Sequence, residues 1–432
     1  MTDIIKQSLC NFWQQLKKGI LHIFTASVIN KIVIMLSNMV LTRMLAQNQY
    51  GILSYIGNVY SYANLIAGFG LAAGALQFGV ENRNRLVENR FYRYCAKAGM
   101  LANFLIIAVI SIVVLYCELP IRQAKMYIYV YLPLLITEYF IQLLLIILRS
   151  QNRFKSYARL VTMHTILVSA GTCIGAVWGI NGVIVSKYIA SIVTFLAMGW
   201  QMRGTLHSVI HAGKLKRNQK KELWHYSILN GISSTLNRFL FLIDLSMVAS
   251  LIGSAETLAV YKVATLIPNA ITFIPQSVVI CVVPDIVAHN QNASWLKKAF
   301  KKIFIGMMIF NLFISLFLIL CAPWIIQIIA GKRYLSAVGS FRILVAGYFV
   351  AGTFRSLSVN FLAALRAVKY NAVCSLVSCM TDVMFNFLLI PRFGILGAAY
   401  ATFLAELTAS LLTFGCLMYT LHRNYRDLGT RI

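Results

Sequence analysis

The chain has 432 residues, of which 59% are hydrophobic and only 12% charged, with a mean hydropathy of +0.75. That is more apolar surface than the core of a water-soluble protein can absorb, so the excess must face lipid. The net charge of +27 raises nucleic-acid binding as a function, and the placement of the cations decides against it.

At the start of the chain, Ile5, Leu9, Phe12, Trp13 and Leu16 fall at helical spacing with Lys6, Lys17 and Lys18 nearby. Residues 1–19 therefore predict an amphipathic helix lying on the inner membrane surface. No small-residue cleavage site follows an apolar stretch there, so a removed signal peptide is not expected. Apolar windows of about 20 residues, the length that crosses the hydrocarbon layer, then recur along the chain. They fall at 24–45, 52–76, 98–117, 127–148, 160–178, 183–200, 228–252, 260–283, 303–329, 343–365, 371–390 and 396–418. The predicted fold is an all-α polytopic membrane protein with 12 transmembrane helices. Continuous runs of this kind exclude a β-barrel, whose strands would alternate. The expected organisation is a six-helix bundle over 20–202, a cytoplasmic linker over 203–227, a second six-helix bundle over 228–419 and a cytoplasmic tail over 420–432.

Cations sort by loop. Placing the N-terminus inside puts 27 of the 39 Lys and Arg in cytoplasmic pieces and 9 at the opposite ends, which predicts cytoplasmic termini and removes nucleic acid as a partner. Lys31, Arg238 and Arg355 remain inside the membrane. Nine cysteines are scattered without a C-x-x-C pair and read as small buried hydrophobes.

The two halves repeat. Asn30-Lys31-Ile32-Val33-Ile34 aligns with Asn237-Arg238-Phe239-Leu240-Phe241 at an offset of 207. Gly51-Ile52-Leu53 meets Ala259-Val260-Tyr261 at 208, Leu148-Arg149 meets Leu365-Arg366 at 217, and Gly179-Ile180-Asn181-Gly182 meets Gly394-Ile395-Leu396-Gly397 at 215. Four matches in order with slowly drifting offsets indicate a duplicated six-helix unit. Six crossings return the chain to its starting side, so both units share one orientation and substrate is expected between them.

An ionised side chain at a helix centre costs about 2.5 to 3.5 kcal/mol on the insertion scale, so it faces a partner or a wet cavity. Lys31 and Arg238 hold matching repeat positions, which predicts similar depth. Asp244 lies six residues beyond Arg238, about 240° around the helix, so the two do not form an intrahelical pair. Arg355 aligns with Glu138 at the offset of 217, and the two are expected to face each other, as an ion pair between bundles or as substrate contacts. Asn30, Asn38 and Asn237 suit either sugar hydroxyls or interhelical hydrogen bonds. Pro268, Pro275 and Pro284 mark the eighth segment as the helix that bends, a static kink being the plainer alternative. Gly171, Gly175 and Gly179 permit close helix contact. No G-x-x-x-x-G-K-[ST] loop is present, so transport is expected to draw on a source other than ATP hydrolysis by this chain. His207 and His211 lie at helical spacing in the basic linker without the glutamate of H-E-x-x-H, and no metal or cofactor is expected.

The string Asn386-Phe387-Leu388-Leu389-Ile390-Pro391-Arg392-Phe393-Gly394-Ile395-Leu396-Gly397-Ala398-Ala399-Tyr400-Ala401-Thr402 resembles the signature of polysaccharide flippases of the O-antigen and capsule type. These belong to the multidrug, oligosaccharidyl-lipid and polysaccharide exporter superfamily. Asp244, Val260 to Ala264 around Lys262, Gly331 to Tyr334, and Leu41 to Tyr55 extend the resemblance through the chain. It implies two bundles that open a cavity alternately to each side of the bacterial cytoplasmic membrane. The implied substrate is an undecaprenyl-pyrophosphate-linked oligosaccharide moved from the cytoplasmic to the outer leaflet. Lys31, Arg238, Arg355, Lys262 and the three asparagines form the expected substrate-binding set, with lysine and arginine suited to phosphate oxygens. Asp244, Glu138, Asp382, Glu406, Pro268 and Pro275 form the coupling or gating set, and a proton or sodium ion is the expected coupling ion. Expected partners are membrane lipid, a polysaccharide polymerase and chain-length proteins. A multidrug or cation antiporter and a peptidoglycan-precursor flippase are the alternatives. The first favours cavity acids, which segments 1 and 2 lack, and the second usually has two further helices.

Overall fold

The computed structural model describes residues 21–81, 84–276, 278, 282, 293–365 and 367–429, with the side chains of 21, 229, 232–241, 293–294, 297, 364, 368 and 423–429 outside the description. The amphipathic segment predicted for 1–19 and Pro284 lie outside the described residues. Helices account for nearly all of the rest. In chain order they are α1 (Leu21–Met44), α2 (Gln47–Leu65), α3 (Leu71–Glu81), α4 (Arg85–Tyr116), α5 (Ala124–Tyr131), α6 (Leu134–Ser150), α7 (Phe154–Gly175), α8 (Gly179–Gln201), α9 (Arg203–Ile210) and α10 (Arg217–Ile252). They continue as α11 (Ala255–Ile271), α12 (Ala293–Leu320), α13 (Ala322–Ala330), α14 (Val338–Val350), α15 (Ser356–Ala364), α16 (Val368–Phe393) and α17 (Ile395–Gly429).

Among the described residues, 10 helical runs are long and apolar enough to cross a membrane. One of them, Phe154–Gln201, holds both α7 and α8, and Leu242–Ile252, at the end of the longer α10, is a shorter apolar stretch where hydropathy predicts the seventh crossing. The second crossing is broken. Gly68, Phe69 and Gly70 all adopt positive φ, and the broken turn is held by Asn103, whose Oδ1 accepts from the Gly68 amide at 2.9 Å. A side chain at Gly70 would meet the Ser227 carbonyl of α10, so glycine is required both by conformation and by proximity.

Contacts divide the chain between Ala259 and Val260. In the N-terminal unit, Lys18–Ala259, the core is formed by Leu71, Phe78, Phe91, Tyr92, Leu144, Leu148 and Leu160. Helix α10, which the hydropathy reading assigns to the second bundle, is grouped with this unit. Asn58 of α2 donates to Ser246 Oγ at 2.8 Å, and Leu223 is fully buried in the core. The segment 203–227, expected to be a tether, is instead two helical stretches around a short loop. Its Val209, Leu215 and Leu223 are apolar enough to pack inward, and Trp224 Nε1 donates to Tyr94 at 3.0 Å. In the C-terminal unit, Val260–Ile432, the core is built on Leu296, Phe300, Phe361, Leu362, Leu417 and Leu421.

One turn occurs twice. Between α7 and α8, Gly179 has φ 70 and ψ −158; between α16 and α17, Gly394 has φ 57 and ψ −134. Such backbone favours glycine strongly. A Cβ at Gly182 would collide with the Gly175 carbonyl, and one at Gly397 with the Leu389 carbonyl. The sequence match at an offset of 215 thus corresponds to a repeated helical hairpin. Gly171, by contrast, has only ordinary contact space.

Candidate functional site

Each unit holds a buried charged cluster. In the N-terminal unit, Glu138 of α6 receives Nε2 of His164 from α7 at 3.2 Å and the Ser191 hydroxyl of α8 at 2.8 Å. One turn before Ser191, Lys187 donates to Tyr131 of α5 at 2.5 Å, with its ammonium 4.7 Å from the Tyr131 ring and 5.4 Å from the Tyr60 ring of α2. Tyr60 and Tyr131 meet edge to face at 5.2 Å. Five helices therefore converge on one polar group within apolar crossings. The His164 Nδ1 and the Tyr60 hydroxyl are buried without a hydrogen-bond partner. Such orphaned atoms are uncommon in native interiors and mark places where something else is accommodated.

In the C-terminal unit, Arg355 and Glu406 form an ion pair at 2.8 Å, with side chains 18% and 19% exposed. Arg355 ends a π-helical turn, Ala351–Arg355, between α14 and α15. Such turns insert a residue into the helix and re-aim its side chains. The turn is tied down by α12, where Asn311 donates to Thr353 at 3.2 Å and accepts from Tyr348 at 3.1 Å. Gly352 lies against Pro275, which follows α11.

Arg355 and Glu138 each find a partner within their own unit, Glu406 for one and His164 with Ser191 for the other. Lys262, half-buried on α11, has no carboxylate or hydrogen-bond acceptor at its ammonium among the described residues. Lys31 is half-buried and does make an interaction. The Asn30 side-chain oxygen is buried without a partner, whereas Asn38 donates to its own helix at Ile34, 2.9 Å away. Arg238 and Asn237 lie on α10, but their side chains are outside the described residues. Asp244 is half-buried and has an interaction, two residues before the Ser246 that binds Asn58 and Tyr62. Asp382 is 4% exposed and accepts from Asn386 at 3.2 Å. Pro268 sits inside α11, which ends three residues later at Ile271. The His207 and His211 rings lie 4.2 Å apart, tilted by 33°, and no group of metal-binding residues occurs among the described residues.

Sequence reasoning missed His164, Ser191, Lys187, Tyr131 and Tyr60. One signal was available: Ser191 stands at the repeat position of Glu406, offset by 215, beside the Glu138 and Arg355 match. Nothing local distinguishes His164 from a histidine packed in a helix.

The family model described as polysaccharide biosynthesis protein matches residues 16–287, more than half of the chain. The chain belongs to the polysaccharide biosynthesis protein family. No curated protein matches this family member. Its fold is shared with solved structures of the multidrug, oligosaccharidyl-lipid and polysaccharide exporter superfamily. An inward-facing multidrug resistance MATE family transporter aligns with a TM-score of 0.73 at 12% identity, covering 94% of this chain and 99% of that one. The lipid II flippase MurJ, in an inward closed conformation, aligns with a TM-score of 0.74 at 14% identity, covering 92% and 87%. An outward-facing MATE family transporter aligns at 0.63 and 12%, covering 94% and 96%. These likenesses establish the fold, that of multi-pass membrane transporters and flippases.

Proposed function

We propose that this protein is a flippase that carries an undecaprenyl-pyrophosphate-linked oligosaccharide from the cytoplasmic to the outer leaflet by alternating access. The observation that carries the reading is Lys262, a half-buried cation near the outer end of the eighth apolar segment whose ammonium no protein group neutralises among the described residues. A charge left in this state inside apolar helices is retained for an anion that arrives from outside the protein. A pyrophosphate headgroup has that chemistry, and the family's polysaccharide biosynthesis description supplies the sugar. Lys31 and Arg238, at matching positions of the sequence repeat, are further candidates for the pyrophosphate, Asn30 has a side-chain oxygen without a partner that suits a sugar hydroxyl, and the polyprenyl tail stays in lipid.

The excess of cations in alternate loops supports cytoplasmic termini in a bacterial inner membrane. With the interior negative, outward movement of an anion gains about 2.3 kcal/mol per charge per 100 mV. A polysaccharide polymerase and chain-length proteins are the partners this role calls for. In proteoliposomes carrying the lipid-linked oligosaccharide, headgroup accessibility to an external enzyme should rise with the wild type and fail to rise with Lys262→Ala. Equal rates in protein-free vesicles and wild type would overturn the flippase reading.

A further inference from the structure

We propose that a groove between α1 and α7 binds an anionic phospholipid, its phosphate at Arg159 and His22 and an acyl chain along Ile29 and Ile166. The two helices run parallel, and in their second halves they are bonded together. The Ser37 hydroxyl donates to the Ser169 carbonyl at 3.4 Å and meets the Thr172 hydroxyl at 3.4 Å. Toward their first turns the space between them opens to about 560 Å³, accessible along one side, where His22, Ile29, Arg159 and Ile166 are exposed. Ala26 and Ala158, both buried, form its floor, and the space exists because their side chains are too small to fill it. Its volume is that of a small-molecule site, about 300 to 1,000 Å³.

The lining is graded along the groove. His22, Thr25 and Ile29 of α1 recur at the spacing of Arg159, Thr162 and Ile166 of α7, so each level receives one residue of similar character from either helix. Nitrogen donors come first, hydroxyls one turn on, and isoleucines two turns on, about 10 Å from the start. A phospholipid read inward from water has the same order: phosphate, glycerol with its ester oxygens, hydrocarbon. Arginine offers phosphate a planar fork of donors, and threonine hydroxyls donate to ester carbonyls. No acid among the described residues lines the groove, and the exposed Arg153 and Lys155 at the start of α7 add charge of the same sign. In the topology proposed above this end meets the cytoplasmic leaflet, whose anionic headgroups attract basic segments. Other occupants fit less well. A polyprenyl pyrophosphate has only hydrocarbon beside its phosphates to offer the two hydroxyls, and residues 1–19, with Lys6, Lys17 and Lys18 against Asp3, carry the sign of Arg159. A bound lipid would brace the half of α1 that its bonds to α7 do not reach, directly before Asn30 and Lys31.

Photo-crosslinking on the full chain tests this. The probe is phosphatidylglycerol with a diazirine on one acyl chain, present as a minor component of phosphatidylcholine vesicles that hold the protein. After irradiation, mass spectrometry of peptides should find the label on the stretches around Ile29 and Ile166. Labelling there should fall several-fold in Arg159→Gln and disappear in Ala158→Phe, whose ring fills the groove, with melting temperatures kept. Should Ala158→Phe fail to fold, Thr162→Val, which removes only a hydroxyl, is expected to weaken labelling, and Arg159→Gln still decides the headgroup contact. Equal labelling by the phosphatidylcholine form of the probe, or labelling unchanged in Arg159→Gln or in a folded Ala158→Phe, would overturn the site. So would displacement of the probe by less undecaprenyl pyrophosphate than unlabelled phosphatidylglycerol, which assigns the groove to the transported lipid. Labelling that appears only after residues 2–19 are deleted would assign it to that segment instead and also overturn the proposal. Neither the probe nor the variants depend on transport, so a failure of the flippase reading leaves this result standing.

Discussion

Arg355 meets Glu406 at 2.8 Å in the C-terminal unit, and the two positions that the internal repeat relates to them, Glu138 and Ser191, hydrogen-bond at the same 2.8 Å in the N-terminal unit. The offsets, 217 and 215, are those that relate Arg149 to Arg366 and Gly179 to Gly394. Duplication thus preserved a contact between two helices while changing its chemistry, from a permanent ion pair in one unit to a carboxylate shared by a hydroxyl and an imidazole in the other.

Removing one partner of a largely buried ion pair leaves the other charge uncompensated. Arg355→Ala and Glu406→Ala should each destabilise the protein by about 3 kcal/mol. The double variant should recover part of that loss, and a thermal-unfolding cycle in detergent measures the coupling. Additive losses would mean that the pair does not act as a unit.

The glycines of the repeated hairpin should not tolerate a methyl group. Gly182→Ala and Gly397→Ala each drive a Cβ into a facing backbone carbonyl, with an expected cost of about 1 to 3 kcal/mol. Gly57→Ala is the control: nothing lies within 4 Å of the added atom, and alanine in the helix interior is favoured by up to about 1 kcal/mol. Melting temperatures should fall in the first two variants and hold or rise in the third.

Lys262 should trade stability against function. Lys262→Met removes a half-buried charge that no described group neutralises, so the variant should melt at a higher temperature. Its headgroup transport should drop to the protein-free rate. A stable variant with full transport would remove the lysine from the substrate path.

Neutralising Lys31 and Arg238 together, as Lys31→Gln with Arg238→Gln, should abolish transport while leaving membrane insertion and expression unchanged. Quantitative immunoblotting beside the headgroup-accessibility assay separates the two effects.

Pro268 removes a backbone donor, so the Ala264 carbonyl one turn earlier is left without its helical partner. Pro268→Ala should close that gap, stiffen α11 and slow transport more than it alters melting temperature. A wild-type rate would assign the proline to a static kink.

The number of crossings and the duplicated hairpin were legible in the sequence. Twenty-residue apolar runs record the thickness of the bilayer, and Gly179 and Gly394 record a backbone conformation that larger residues avoid; both are local requirements. Which acid meets which cation was decided by the tertiary structure. Glu138 was expected opposite Arg355 from the repeat alone, but its partners come from α7 and α8, and Arg355 reaches Glu406 51 residues away. The same holds for α10, whose hydropathy says that it crosses the membrane but not which helices it joins; Ser246 on Asn58 and Leu223 in the core settle that. Hydropathy encodes depth, because burial in lipid depends on each residue's own transfer energy. Pairing depends on which faces of distant helices are packed together, and a one-dimensional pattern does not carry that information.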